Sequence, residues 1–144
     1  MKKRNVLIGG GILGVISVAA VGAEGFRQAC VSRRNKKPAT DPKRMLRAEI
    51  RKKNNDFLYS HNPEDLEILS PEMLRLKAWY VPAEKETKRF AICVHGHNCN
   101  GPDECSHLFP FYHETMGFNY LLPDLRGHGR SDGKFIGFGA LDYK

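Results

Sequence analysis

The 144-residue sequence lacks several patterns on which common function classes depend. It contains no CxxC and no HExxH spacing, so neither a ribbon-type zinc site nor a helical zinc-protease site is written in it. No aromatic residue falls between Arg27 and Lys53, where the basic residues concentrate. Nothing there can stack on bases, which argues against nucleic-acid binding. No charge occurs from Val6 to Ala23, and no histidine follows His128. The length suits one domain and excludes a multidomain enzyme.

What is present is unevenly distributed. The net charge is +7, yet residues 27–53 hold 11 positive charges against two negative, while 54–144 hold nine against 13. The excess is a basic collar on a mildly acidic body. Ahead of the collar, after a basic stretch over 1–5, Val6–Ala23 is apolar apart from Ser17 and the glycines. As a helix it spans about 27 Å, close to a bilayer's hydrocarbon core. A single-pass membrane anchor is the leading reading of 6–23. A cleaved signal segment is its rival, since Lys2, Lys3 and Arg4 form a positive n-region and Val21-Gly22-Ala23 resembles a cleavage site. Gly9, Gly11 and Gly14 also spell GxGxxG, a dinucleotide-binding alternative in which glycines let the backbone approach a pyrophosphate. Against it, the helix that follows would be almost wholly apolar, and Val31-Ser32-Arg33-Arg34 stands where an acidic ribose ligand belongs.

Six basic residues lie within the twenty after the apolar run, against three before it, so the positive-inside rule leans towards a cytoplasmic body. Clusters of this kind favour an anionic leaflet. Residues 24–61 read as a basic juxtamembrane linker whose Asp41-Pro42 opens an amphipathic helix, with Met45, Leu46, Ile50, Phe57 and Leu58 roughly on one side. Cys30, near the membrane, is a candidate for acylation or a plain juxtamembrane residue.

Residues 62–144 read as the folded body. Asn62-Pro63-Glu64-Asp65 is a turn signal, followed by Leu66–Ser70 and by Leu74–Val81, whose period of two predicts a strand with unlike faces. Phe90–Val94 and Phe118–Leu122 are continuous apolar runs of strand length, the pattern of buried parallel strands. Asp103–Met116 between them predicts a helix that Pro110 restricts or kinks. Strand, helix and strand at this spacing give a βαβ unit and a parallel sheet.

The run Pro123–Gly133, PDLRGHGRSDG, resembles the DxRGHGxS loop after the fourth strand of α/β-hydrolases. FAICV entering His95-Gly96 is similar to that family's third strand and its HG turn, and LRLKAWYVPA to its second strand. The nearest branch is the membrane-anchored bacterial hydrolases similar to serine aminopeptidases and acylglycerol lipases. The resemblance covers about 62–144 and implies the N-terminal half of an α/β-hydrolase fold: a mostly parallel sheet of about four strands, preceded by a transmembrane and a linker helix. It implies an oxyanion hole formed by the His97 backbone amide, with Asn98 beside it. It casts His95, Gly96, Asp124, Arg126, Gly127, His128 and Gly129 as loop-structuring residues. No cofactor is expected.

A literal GxSxG occurs at Gly129–Gly133, but Ser131 is rejected as a nucleophile. The nucleophile elbow puts its serine directly between a buried strand and a helix. Here a loop precedes it, and the eleven residues after Gly133 contain Asp142 but no histidine, so the order Ser, Asp, His cannot be completed. The chain therefore reads as a hydrolase portion that stops before its nucleophile, inactive alone, with a missing C-terminal half or a complementing chain as partner. The other enzymatic alternative is a zinc hydrolase. Cys93, His95, His97, Cys99, Cys105, His107 and His113 fall close together, with His95, His97 and Cys99 as its ligands, although Cys99-Asn100 stands where Asp-His is expected. Cys99 and Cys105 could pair in an oxidising compartment.

Overall fold

In the computed structural model, residues 18–32 and 40–139 are described, and the chain divides into two compact units, residues 1–31 and 32–144. In the first unit residues 18–30 form a helix, α1, in which Glu24 pairs with Arg27 at 2.6 Å. The predicted anchor at 6–23 falls mostly outside the described residues, as do Gly9, Gly11 and Gly14. Among the described residues no helix is long and apolar enough to cross a membrane.

The second unit begins with α2, Pro42–Ser60, where the predicted signals act as expected: the Asp41 carboxylate accepts from the Arg44 amide and Pro42 occupies the first turn. Four strands follow: β1 (Glu64–Leu69), β2 (Arg75–Val81), β3 (Phe90–Ile92) and β4 (Asn119–Pro123). Their order in the sheet is β1-β2-β4-β3. The expected parallel character is confined to β3 and β4; β1 pairs antiparallel with β2, and β2 antiparallel with β4. For β1 and β2 the reason is connection length. Ser70–Leu74 is a tight turn, closed by the Ser70 amide on the Leu74 carbonyl at 2.9 Å, and such a turn permits only an antiparallel return. The predicted turn at Asn62–Asp65 is also shorter than expected, since Glu64 and Asp65 already belong to β1.

Between β3 and β4 the chain makes a short helix α3, Gly101–Cys105, then a 3₁₀ turn, Ser106–Leu108, and a π-type turn, Pro110–Thr115. Pro110 breaks the α-helical ladder as predicted: it has no N–H, and its ring crowds the carbonyl four residues back. Leu58 of α2, Cys105, Phe109, Val81, Ala91, Tyr120 and Leu122 form the core on one face of the sheet. The buried Tyr120 hydroxyl is satisfied by the Cys105 carbonyl at 2.8 Å. Buried Asn119 joins Tyr80, Ala83, Thr87 and Arg89 through its amide, fixing the loop that leads into β3.

The other face is built from the alternate residues. Register aligns Leu66 with Ala78, Ile68 with Leu76, Tyr80 with Leu121, and Leu121 with Ile92. Among the described residues this apolar face is bare: Ile68 is 67 % and Ile92 61 % exposed.

Candidate functional site

The loops after β3 and β4 leave the same end of the parallel pair and are stitched together by two buried histidines. His95 faces the Gly96 carbonyl with Nδ1 at 2.8 Å and accepts the Leu125 amide on Nε2 at 3.0 Å. His128 faces the Arg126 carbonyl with Nδ1 at 2.9 Å and accepts the Asn98 amide on Nε2 at 3.2 Å. A carbonyl requires N–H at Nδ1, and an amide requires a bare Nε2. Both rings are therefore held as neutral Nδ1–H tautomers. Each loop lends a histidine to the other's backbone. Burial is the main cause that lowers the His128 pKa below its ordinary 6.5; His95 and His97 push it the same way, against the Arg126 carbonyl and Asp124.

Asp124 anchors the second loop from below. Its carboxylate accepts the Gly101 amide at 2.9 Å and the Arg130 amide at 3.0 Å, and thereby ties the start of α3 to the turn after β4. Gly129 is required here: a Cβ on it would stand 2.3 Å from that carboxylate, at a φ of +46°. Gly127 also has positive φ, and Arg126 lies 3.9 Å from Glu72.

Ser131 is fully buried. Its hydroxyl donates to the Asp124 carbonyl and accepts the Lys77 amide at 2.9 Å, so its hydrogen bonds serve the junction between loop and β2. In this position it neither reaches a histidine base nor meets solvent. Ser60 does approach the His61 ring, but both groups turn to the Phe57 carbonyl and close the end of α2. Of the two predicted oxyanion donors, Asn98 has its amide committed to His128, while the His97 ring lies parallel to Phe138 with centroids 5.4 Å apart. A cavity of about 200 Å³ opens beside them, lined by His95, Gly96, His97, Leu125, Ile136 and Phe138.

The zinc alternative fails on geometry. Among the described residues no three His, Cys, Asp or Glu side chains converge on a point, and both His95 nitrogens are already bonded within the loops. No disulfide joins Cys99 to Cys105, and burial raises the Cys105 thiol to about 11.

Sequence reasoning missed Arg130. Its guanidinium lies 3.3 Å from the Trp79 ring centre, donates to Asp65 at 2.8 Å and to the Ala78 carbonyl at 3.2 Å, and so fastens the β4 loop across β2 to β1. It also missed Asp132, which binds the Arg75 side chain and backbone at 3.0 and 3.1 Å. The partners lie more than fifty residues away, so no local spacing marks them.

No protein-family model matches the sequence, and no curated protein sequence matches it either. Among solved structures, one crystal form of the Pyrococcus furiosus esterase Pf2001 aligns over 79 % of this chain and 38 % of its own, at 21 % identity and a TM-score of 0.52. A second form of that esterase aligns over 78 % and 39 %, at 22 % identity and 0.52. An α/β hydrolase from Penicillium, GrgF, aligns over 49 % and 24 %, at 28 % identity and 0.43. This chain thus spans about two fifths of the length of the Pf2001 esterase. The four-stranded mixed sheet and its helices have the fold of part of an α/β hydrolase.

Proposed function

We propose that this chain forms the oxyanion-side part of a serine hydrolase of ester or peptide bonds, with the nucleophile, acid and histidine supplied by further polypeptide. The observation that carries the reading is the reciprocal exchange of His95 and His128 between the loops at the carboxyl ends of β3 and β4. It holds the backbone after His95-Gly96 in one conformation, which is what an oxyanion hole demands, since donors aimed in advance cost no reorganisation during reaction. The His97 amide is the proposed donor, on the resemblance of His95-Gly96 to the HG turn. Further support comes from the sheet: β3 stands at its edge and Phe90, Ile92 and Val94 are exposed. The proposed occupant of this edge and of the bare face is the remaining part of a hydrolase fold, a parallel strand beside β3 with helices behind it. Residues 6–23 are proposed to hold the assembly at a membrane, and carbonate washing would release the chain if they do not.

Alone, the chain is expected to leave a fluorophosphonate probe unreacted and to hydrolyse nitrophenyl esters no faster than buffer. Labelling of Ser131 in the folded protein would overturn the proposal.

A further inference from the structure

Helix α2 is held to the body along only part of its length. Leu58 is its buried residue, and Arg51 and Asn55 reach Asp103 at 3.7 and 3.1 Å. Every residue from Asp41 to Ile50 is exposed, and this first stretch of two and a half turns lies off the sheet, with Arg47 and Ile50 bordering a cleft that they share with Asp103, Glu104, Ser106 and His107. Leu46, Ile50 and Phe57 follow at helical spacing on one side, with Leu46 58 % and Ile50 53 % exposed. Lys43 is three residues from Leu46, and Arg47 and Lys53 are three from Ile50, so each basic side chain lies beside an apolar one. Over 43–53 there are six positive charges and one acid, Glu49. Among the described residues, Arg51 of this helix pairs with Asp103 and Lys52 with Asp56.

We infer that the exposed part of α2 lies in the interface of an anionic bilayer, with Leu46 and Ile50 inserted between headgroups and Lys43, Arg47 and Lys53 on their phosphates. What distinguishes Leu46 and Ile50 from other exposed apolar residues is that they are neighbours on the helix and are flanked by long basic side chains. Apolar residues flanked by long basic ones are the pattern that satisfies both layers of a membrane surface, because the basic stems cross the boundary and leave their charges in the headgroups. The charge is complementary as well: residues 54–144 carry four more acids than bases, so the field of this helix is distinct from that of the body it stands on. The inference is independent of the hydrolase reading and of the apolar segment at 6–23.

Because 6–23 could itself bring the chain to vesicles, the test has to report on the helix locally. The sequence has one tryptophan, Trp79, within the body, which serves as the internal reference. Leu46→Trp in the full chain adds an indole at an exposed site, and its folding is checked by an unchanged thermal midpoint. With vesicles containing phosphatidylglycerol and brominated phosphatidylcholine, its emission is expected to shift to the blue and to be quenched, beyond any change in the parent. Adding Lys43→Glu, Arg47→Glu and Lys53→Glu should weaken this partitioning more than about a hundredfold. Equal quenching on purely zwitterionic vesicles, no quenching on anionic ones, or a blue shift that depends on protein concentration without lipid would each overturn the inference. The last of these would assign the face to a second copy instead.

Discussion

At the scale of single residues, the site is a set of exchanged backbone contacts, and His128, Asp124 and Gly129 decide it. His128 accepts a hydrogen bond only while neutral, and its folded pKa lies below the 6.5 of the free side chain. The unfolded chain therefore binds the proton more readily. The contribution of this residue to stability is complete above the unfolded value and is lost as pH falls through the lower, folded value. Thermal midpoints should drop on acidification from neutrality, and His128→Gln, whose amide oxygen can still accept from Asn98, should make that drop shallower. A parent and variant with parallel pH profiles would count against the assigned tautomer. Asp124 receives two amides on its two oxygens, so Asp124→Asn must turn an NH₂ towards one of them and should cost about 1–3 kcal/mol in urea unfolding. Gly129→Ala combines a left-handed φ with a clash against that same held carboxylate, and should cost about 2–4 kcal/mol.

At the scale of elements, α2 is the clearest case of two halves with different environments. Leu58→Ala should cost about 2–5 kcal/mol, because it empties a fully buried position facing Phe109 and the sheet. Leu46→Ala, on the exposed half, should stay within about 0.5 kcal/mol. Equal losses from the two would mean that the whole helix is packed. The helix start was legible in the sequence because Asp41-Pro42 acts locally, and β2 and β4 were legible because alternation and apolar runs reflect the faces they bury. The run at Phe90–Val94 located β3 but not its surroundings: the strand ends at Ile92, stands at the sheet edge and leaves Phe90 and Ile92 exposed. The antiparallel joining of β1, β2 and β4 was less legible, since the apolar runs that mark a doubly covered strand do not say which way its neighbour runs. In the site, the HG turn and the RGHG loop were recognisable as motifs, and the glycines at 127 and 129 do stand at positive φ. The pairing of His95 with Leu125 and of His128 with Asn98 was not, and nor was the hold of Arg130 on Asp65 and Trp79. Those contacts depend on register between strands far apart in the chain, and a register is fixed by packing that no single segment records.

At the scale of the whole molecule, the sheet has one covered face among the described residues. Leu58, Phe109, Tyr120 and Leu122 bury one side, whereas Leu66, Ile68, Phe90 and Ile92 leave the other to solvent. An apolar groove of about 530 Å³ runs across that side, lined in part by Leu66, Ile68, Leu76, Ala78 and Leu121. Contiguous apolar surface of this kind marks an interface, and an uncovered strand edge beside it invites pairing with another chain. The purified chain is thus expected to enhance the fluorescence of a hydrophobic dye and to self-associate as its concentration rises. The double variant Ile68→Lys with Ile92→Lys places a charge on β1 and another on edge strand β3, at positions already in water. It should keep the parent's thermal midpoint, abolish most of the dye signal and sediment as a monomer. Retained folding with lost association is the outcome that a bare face requires, because these two side chains contribute little to the core behind them. A parent that is monomeric and blind to the dye would show instead that this face is covered in solution, and the place to look for the cover would be outside residues 40–139.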